Sequence, residues 1–268
     1  MVVFPNAKIN LGLNITEKRA DGFHNILSCF YPVNWTDVLE ILPADKLQFQ
    51  SSGIPIPGNP TENLVVKAWE LLHADFNIDP VNIHLHKVIP IGAGLGGGSA
   101  DGTFAIKALN DLFSLGLSTS QMQVYAKQLG SDCPFFVENK PVLVSGTGDV
   151  FEETSLSLKG KFLVLVYPNM HITTGEAYRS IKPKFPAHVP ADILVKEMAT
   201  WREFLSNDFE TGLNSSYEVI GEIKQMLYES GATYASMSGS GSAIYGIFDK
   251  ETKLSFDSSF SVWTGWLE

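Results

Sequence analysis

The chain of 268 residues carries 19 Lys plus Arg against 29 Asp plus Glu, a net charge of −10, with 44% hydrophobic and 18% charged residues. This apolar share excludes intrinsic disorder, 23 glycines and 14 prolines without a period exclude collagen-like and low-complexity classes, and the acidic balance argues against duplex nucleic acid or an anionic membrane as partner. Two cysteines, Cys29 and Cys133, cannot make a disulfide framework or a zinc site, and the longest apolar run, residues 162–167, is far short of a membrane span, so a reducing cytoplasm is the expected setting.

Ile9, Leu11, Leu13 and Ile15 alternate with Asn10, Gly12 and Asn14, the period of a strand with one buried face, and Lys8 shares the opposite face with Asn10. Residues 39–42 and 47–50 read as strands joined by a turn over 43–46. Asn59 as N-cap, Pro60 in the first position and Glu62 in a capping box predict a helix bearing the stripe Leu64, Ala68, Leu71 and Leu72. Val81, Ile83 and Leu85 predict a strand that runs through Lys87 to Pro90 and then into Gly92-Ala93-Gly94-Leu95-Gly96-Gly97-Gly98-Ser99, which opens a helix over 100–112. Ser118 and Gln121 form a second capping box, for a helix that stops at Leu129 with Gly130 in a left-handed cap. Residues 142–145 read as a strand, and the polar stretch 152–160 as the boundary between domains 1–155 and 156–268. The second half restarts with a strand over 162–167, helices near 175–181, 191–204 and 217–229, a small-residue loop over 236–242 and a strand over 243–248. Interleaved strands and helices, with adjacent N-terminal strands paired antiparallel, give an α+β class.

Five glycines within residues 92–98 lower the steric barrier to a ligand, and at a helix N-terminus their amides and the helix dipole converge where a phosphate oxygen would sit. A flexible turn is the plain alternative. A Walker loop is excluded because Gly98-Ser99 has no lysine, and Gly92, Gly94 and Gly97 match a dinucleotide spacing without its first-strand context or its following acid. Asp132, among Cys133, Phe135 and Phe136, is either an N-cap for the next helical turn or a carboxylate suited to take a proton from a substrate hydroxyl. Lys8 is either a solvated strand residue or the charge that orients Asp132. His24, beside Phe23 and with Tyr178 available from the second half, has the chemistry to read the edge of a stacked heterocycle. The Ser238-Gly239-Ser240-Gly241 loop presents amides again, or is a hairpin connection.

Three segments together resemble the GHMP family of small-molecule kinases: the strand motif Pro5-Asn6-Ala7-Lys8-Ile9-Asn10-Leu11, the glycine-serine loop over 90–99, and the late loop over 238–242. The resemblance runs along essentially the whole chain in the right order and implies two α+β domains with the active site in the cleft between them. Ala20-Asp21-Gly22-Phe23-His24, Gly94 to Asp101 and Leu129-Gly130-Ser131-Asp132-Cys133-Pro134 are further similar to members that phosphorylate the 2-hydroxyl of CDP-linked methylerythritol, a step toward isoprenoid precursors. On that resemblance Asp132 is the catalytic base, and Lys8 positions it and the transferring phosphoryl group. Asn10 would contact the polyol and His24 would hydrogen-bond cytosine, with Phe23, where this family often has tyrosine, and Tyr178 as stacking faces. Pro90, Gly92, Gly94, Leu95, Gly96, Gly97, Gly98 and Ser99 would cradle the ATP phosphates, Asn63 and Lys87 would serve the adenosine end, and Ser240 and Gly241 would close over the phosphates. Mg²⁺ would be held mainly by nucleotide oxygens and water. The rival readings are a mevalonate- or homoserine-type kinase of the same family, a dinucleotide oxidoreductase and a non-catalytic nucleotide-binding module.

Overall fold

A computed structural model of the protein describes residues 1–179, 181–213 and 217–268. In chain order the strands are β1 (Val2–Val3), β2 (Asn6–Lys18), β3 (His24–Thr36), β4 (Val38–Pro43), β5 (Gln48–Gly53), β6 (Val81–Lys87), β7 (Val142–Ser145), β8 (Val150–Glu153), β9 (Phe162–Tyr167), β10 (Tyr234–Met237), β11 (Ile244–Phe248) and β12 (Ser261–Trp266). The helices are α1 (Leu64–Phe76), α2 (Gly97–Leu112), α3 (Thr119–Leu129), α4 (Phe135–Glu138), α5 (Thr174–Arg179), α6 (Pro190–Leu194), α7 (Trp201–Phe204), α8 (Asp208–Leu213) and α9 (Glu218–Glu229). No helix among the described residues is long and apolar enough to cross a membrane.

The chain divides into two compact units, one of residues 1–7, 35–91 and 96–140, the other of 8–34, 92–95 and 141–268. A single cut after residue 155 differs from this division. β2 and β3 join β7 and β8, both of which precede residue 155, in one sheet, and the second unit takes in nearly all of these four strands together with the rest of the chain.

In the first unit the sheet order is β1-β4-β6-β5, with β4 antiparallel and β5 parallel to β6. Because β6 lies between them, the segment 43–46 does not close the hairpin expected from adjacent strands. One face of the sheet packs Leu39, Ile41, Ile83 and Leu85 against Val65, Ala68 and Leu72 of α1 and Ala105 and Leu109 of α2. The expected helix start at Asn59 is a single 3₁₀ turn over Pro60–Glu62, and Asn63 opens α1 by accepting from the Val65 amide at 3.0 Å. The capping box of α3 forms, the Ser118 amide donating to Gln121 Oε1 at 2.9 Å and the Gln121 amide to Ser118 Oγ at 3.3 Å. Gly130 follows at φ 167°, extended rather than left-handed.

The second unit holds two sheets, β2-β3-β7-β8 and β10-β11-β9-β12, with β9 buried along its length and flanked antiparallel by β11 and β12. The helix expected near 175–181 is α5, and Ser180 lies outside the described residues. The expected helix over 191–204 is broken into α6, a 3₁₀ turn and α7. The break presents the Lys196 carbonyl to the indole N–H of the buried Trp201 at 3.3 Å.

Candidate active site

In the first unit the glycine-rich segment becomes the start of α2. Gly96 occupies the N-cap position at φ 71°, where a side chain would be strained, and no side chain caps the helix. The amides of Gly97, Gly98 and Ser99 therefore have no acceptor within the helix, the condition under which a helix end takes an anion. Gly97 packs tightly: a Cβ there would lie 3.0 Å from Ile89 Cγ2 and 3.0 Å from Lys87 Nζ. Gly98 is exposed, and a Cβ there would meet nothing within 4 Å. The tight turn thus explains one glycine, and open space in front of the helix end surrounds the other.

The parity of β6 places Lys87 on the same inward face as Val81, Ile83 and Leu85, and its side chain is 3% exposed. The ammonium donates to Asp37 Oδ2 and, at 2.7 Å, to Asp101 Oδ2. Asp37 also accepts from the amides of Val88 at 2.6 Å and Ile89 at 2.8 Å. Asp101 Oδ1 is buried without a hydrogen-bond partner. Burial pushes the Asp101 carboxyl up to about 7 against the opposing pull of Lys87. Burial would lower the Lys87 ammonium, but Asp101 and Asp37 outweigh it and raise it. The ammonium is thus paired with two carboxylates beneath Gly97. Asn63 is likewise occupied on its oxygen as the cap of α1. Pro90 and Leu95 are buried, so their side chains face the interior rather than a ligand.

Asp132 is half-buried on the turn before α4. It does not cap that helix, whose N-cap is Pro134 with no side-chain cap. The turn is pinned to α2, since Thr103 Oγ1 donates to the Cys133 carbonyl at 2.8 Å. The helix whose amino end is free therefore also holds the carboxylate segment. Burial pushes the Cys133 thiol up to about 11, so it stays protonated and is no nucleophile.

In the second unit Lys8 and Asn10 are 3% and 2% exposed, because the face of β2 expected to be open is covered as well. Lys8 Nζ donates to Asn10 Oδ1 at 2.6 Å and lies 4.5 Å from the centroid of Phe30. Asn10 Nδ2 donates to Ser28 Oγ at 2.9 Å. Both ends of the Asn10 amide thus have a partner inside the protein, with one N–H and one lone pair left over. The two small-residue loops meet: Ser238 Oγ donates to the Gly94 carbonyl at 2.8 Å and the Ala243 amide to that of Ala93 at 3.1 Å. Gly94, at φ 79°, leaves no room for a Cβ, which would fall 2.0 Å from the Ser238 carbonyl. Gly92 is exposed at φ 67°, Ser240 is half-buried and Gly241 is buried at φ 91°. Tyr178 stacks on His24, ring centroids 4.5 Å apart, with Phe209 edge-on behind it at 5.0 Å. Phe23 is 65% exposed and makes no ring contact among the described residues. Burial, then the charge of Lys18, lower the His24 imidazole below its ordinary value, which favours the neutral ring with one donor and one acceptor. A cavity of about 550 Å³ in this unit, lined by Asn14, Lys184, His188 and Asp208 among others, contains none of the residues expected from the sequence.

Residues 63–140 match the model of the GHMP kinases N terminal domain, and residues 191–256 that of the GHMP kinases C terminal domain. Over 267 residues the chain is 48% identical to the 4-diphosphocytidyl-2-C-methyl-D-erythritol kinase of Bacteroides fragilis, with 97% of each chain covered. The chain belongs to the GHMP kinases. Another relative in this family, the 4-diphosphocytidyl-2-C-methyl-D-erythritol kinase of Parabacteroides distasonis, is 46% identical over 270 residues with both chains fully covered. A crystal structure of a 4-(cytidine 5'-diphospho)-2C-methyl-D-erythritol kinase superposes with a TM-score of 0.79 at 29% identity, covering 92% of this chain and 90% of that one. The mevalonate kinase of Methanococcus jannaschii superposes with a TM-score of 0.73 at 13% identity, covering 100% and 98%, and so shares the fold.

Two groups that this GHMP kinase places beside the expected residues carry no local sequence signal. Asp37 lies 50 residues from its partner Lys87, and Ser28 lies 18 residues from Asn10. Only the inward parity of Lys87 on β6 hints that a buried anion must face it.

Proposed function

We propose that this GHMP kinase transfers the γ-phosphoryl group of ATP to the 2-hydroxyl of 4-diphosphocytidyl-2-C-methyl-D-erythritol. One observation carries the phosphoryl-transfer part: the uncapped amino end of α2, with Asp132 on the turn that the same helix holds through Thr103. Full-length identity to kinases named for this substrate supports the acceptor. A neutral His24 against the face of Tyr178 supports a site for a heterocycle. Cytosine would take the face of Tyr178 that His24 covers here, with His24 then reading its edge.

The amides of Gly97, Gly98 and Ser99 and the helix dipole receive phosphate oxygens. Asp132 accepts the proton of the acceptor hydroxyl as the new O–P bond forms and the bond from phosphorus to the ADP oxygen breaks. Lys8 sets its charge against the oxygens on which negative charge develops. Mg²⁺ enters with the nucleotide as part of the substrate, held mainly by nucleotide oxygens and water.

The test is ADP release measured with CDP-methylerythritol, mevalonate and homoserine in parallel. Turnover with the first alone is expected, and turnover with mevalonate or homoserine in its place overturns the acceptor assignment. The helix end has a sharper test in Gly98→Ala. The methyl group enters open space and improves helix propensity, so the melting temperature should rise, by up to about 1 kcal/mol of stability. The same methyl would crowd a phosphate, so the KM for ATP should rise about tenfold, roughly 1.4 kcal/mol. A stabilised variant with an unchanged KM places the phosphates elsewhere.

A further inference from the structure

We infer that Ser28 is a positioning residue for Lys8, acting through the carboxamide of Asn10. The inference rests on the kinase reading above only in taking Lys8 as the charge that meets the transferring group.

The argument begins at Gly12. This residue lies within β2 at φ 66°, a conformation natural to glycine, and its carbonyl accepts from Ser28 Oγ at 2.6 Å. A serine hydroxyl has one proton, and here it is committed to Gly12. Toward Asn10 the hydroxyl can then only accept, so the Asn10 atom at 2.9 Å must be the donor Nδ2. Oδ1 is thereby turned to the other side, where it accepts from Lys8 Nζ at 2.6 Å. A flipped amide would set NH₂ against an ammonium, two groups that only donate, and would leave Ser28 facing an oxygen with no proton to offer. One committed hydroxyl proton therefore selects one of two amide orientations, and that orientation aims the ammonium.

The main chain of Asn10 is fixed independently. Its amide donates to Ser238 Oγ at 3.2 Å and its carbonyl accepts from Tyr245 Oη at 2.7 Å. The backbone cannot follow if the amide rotates, so loss of Ser28 is confined to the side-chain orientation. Ser28 is 2% exposed, too deep to touch a substrate itself. Its hydroxyl and Phe30, two residues on along β3, present to Lys8 a polar and an aromatic support from one strand face.

The test is a double-mutant cycle in full-length protein, with Ser28→Ala, Asn10→Ala and the pair, assayed by ADP release alongside thermal melting. Ser28→Ala should lower kcat about ten- to a hundredfold, as expected for a misaimed catalytic group, and leave the KM for ATP within about twofold. Ser28→Thr, which keeps the hydroxyl, should recover most of kcat. In the Asn10→Ala background the Ser28 change should cost nothing further, because its route to Lys8 is already cut. A Ser28→Ala enzyme within about twofold of the unaltered kcat overturns the inference, as do losses that multiply in the double variant. Should Ser28→Ala melt below the assay temperature, Ser28→Cys, with its weak donor and acceptor, takes its place in the cycle. If the unaltered chain releases no ADP with any acceptor, the kinase reading falls and takes this inference with it; if it does and Ser28→Ala is indifferent, only the inference falls.

Discussion

Asp132→Asn should lower kcat about 10²- to 10⁴-fold, the range of a lost general base, while CDP binds within about tenfold of the unaltered affinity, roughly 1.4 kcal/mol. The change preserves shape and removes the ability to take a proton. Its effect should be confined to chemistry, because the turn that carries Asp132 is held by others: Thr103 on the Cys133 carbonyl and Pro134 at the start of α4. Were Asp132 a helix cap, replacement by asparagine, an equally good cap, would leave turnover intact. Single-turnover ADP formation, titration calorimetry with CDP and a melting curve separate the outcomes. Near-normal turnover in a folded variant removes Asp132 from the base role. The neighbouring thiol offers no substitute, since burial holds it up to about 11 and hence protonated at neutral pH.

What could be read in the sequence divides by the range of the physics involved. The capping box of Ser118 and Gln121 and the helix after the glycine loop depend on residues within one turn of each other, and both form where expected. The inward parity of Val81, Ile83 and Leu85 continues to Lys87, so even the burial of that lysine was written in the alternation. The failures are long-range. β3 has no clean alternation and contains Pro32, yet β7 pairs with it at Ser28 to Phe30. β12 pairs with β9 across nearly a hundred residues at a sheet edge, and its half-exposed pattern needs no hydrophobic run to mark it. Asn10 and Lys87 were expected to touch ligands on the family resemblance alone, and nothing local names the partners they have inside the protein. Their partners, Ser28, Asp37 and Asp101, turn them inward, and a polar side chain's partner is a property of the fold rather than of its neighbours in sequence.

Lys87→Met should destabilise the protein by about 3–5 kcal/mol, the cost of leaving buried carboxylates without their counter-charge. That is a large share of the roughly 5–15 kcal/mol that holds a typical protein folded. The residue count in the cluster sets the size: two carboxyls, Asp37 and Asp101, share one ammonium at nearly zero exposure. Asp101→Asn separates the charge from the packing. Its carboxyl is raised in the folded protein to about 7, chiefly by burial, above its ordinary value of 3.8. A folded carboxyl that binds its proton more tightly than the unfolded one adds stability that is complete below pH about 3.9 and is lost as the pH climbs through 7. Asparagine has no such proton to lose. The melting temperature of Asp101→Asn minus that of the unaltered chain should therefore grow from pH 5.5 to pH 8, whatever its value at either end. A difference that stays level or shrinks over that interval means Asp101 is already ionised at pH 5.5, held by Lys87 against the cost of its burial. In Lys87→Met, with no ammonium pulling against its burial, the Asp101 carboxyl should hold its proton to higher pH still, and unfolding should become steeply easier above neutral pH. Because Lys87 Nζ lies against the position of a Gly97 side chain, losing it also loosens the first turn of α2. The KM for ATP should rise in Lys87→Met at temperatures where the protein is still folded.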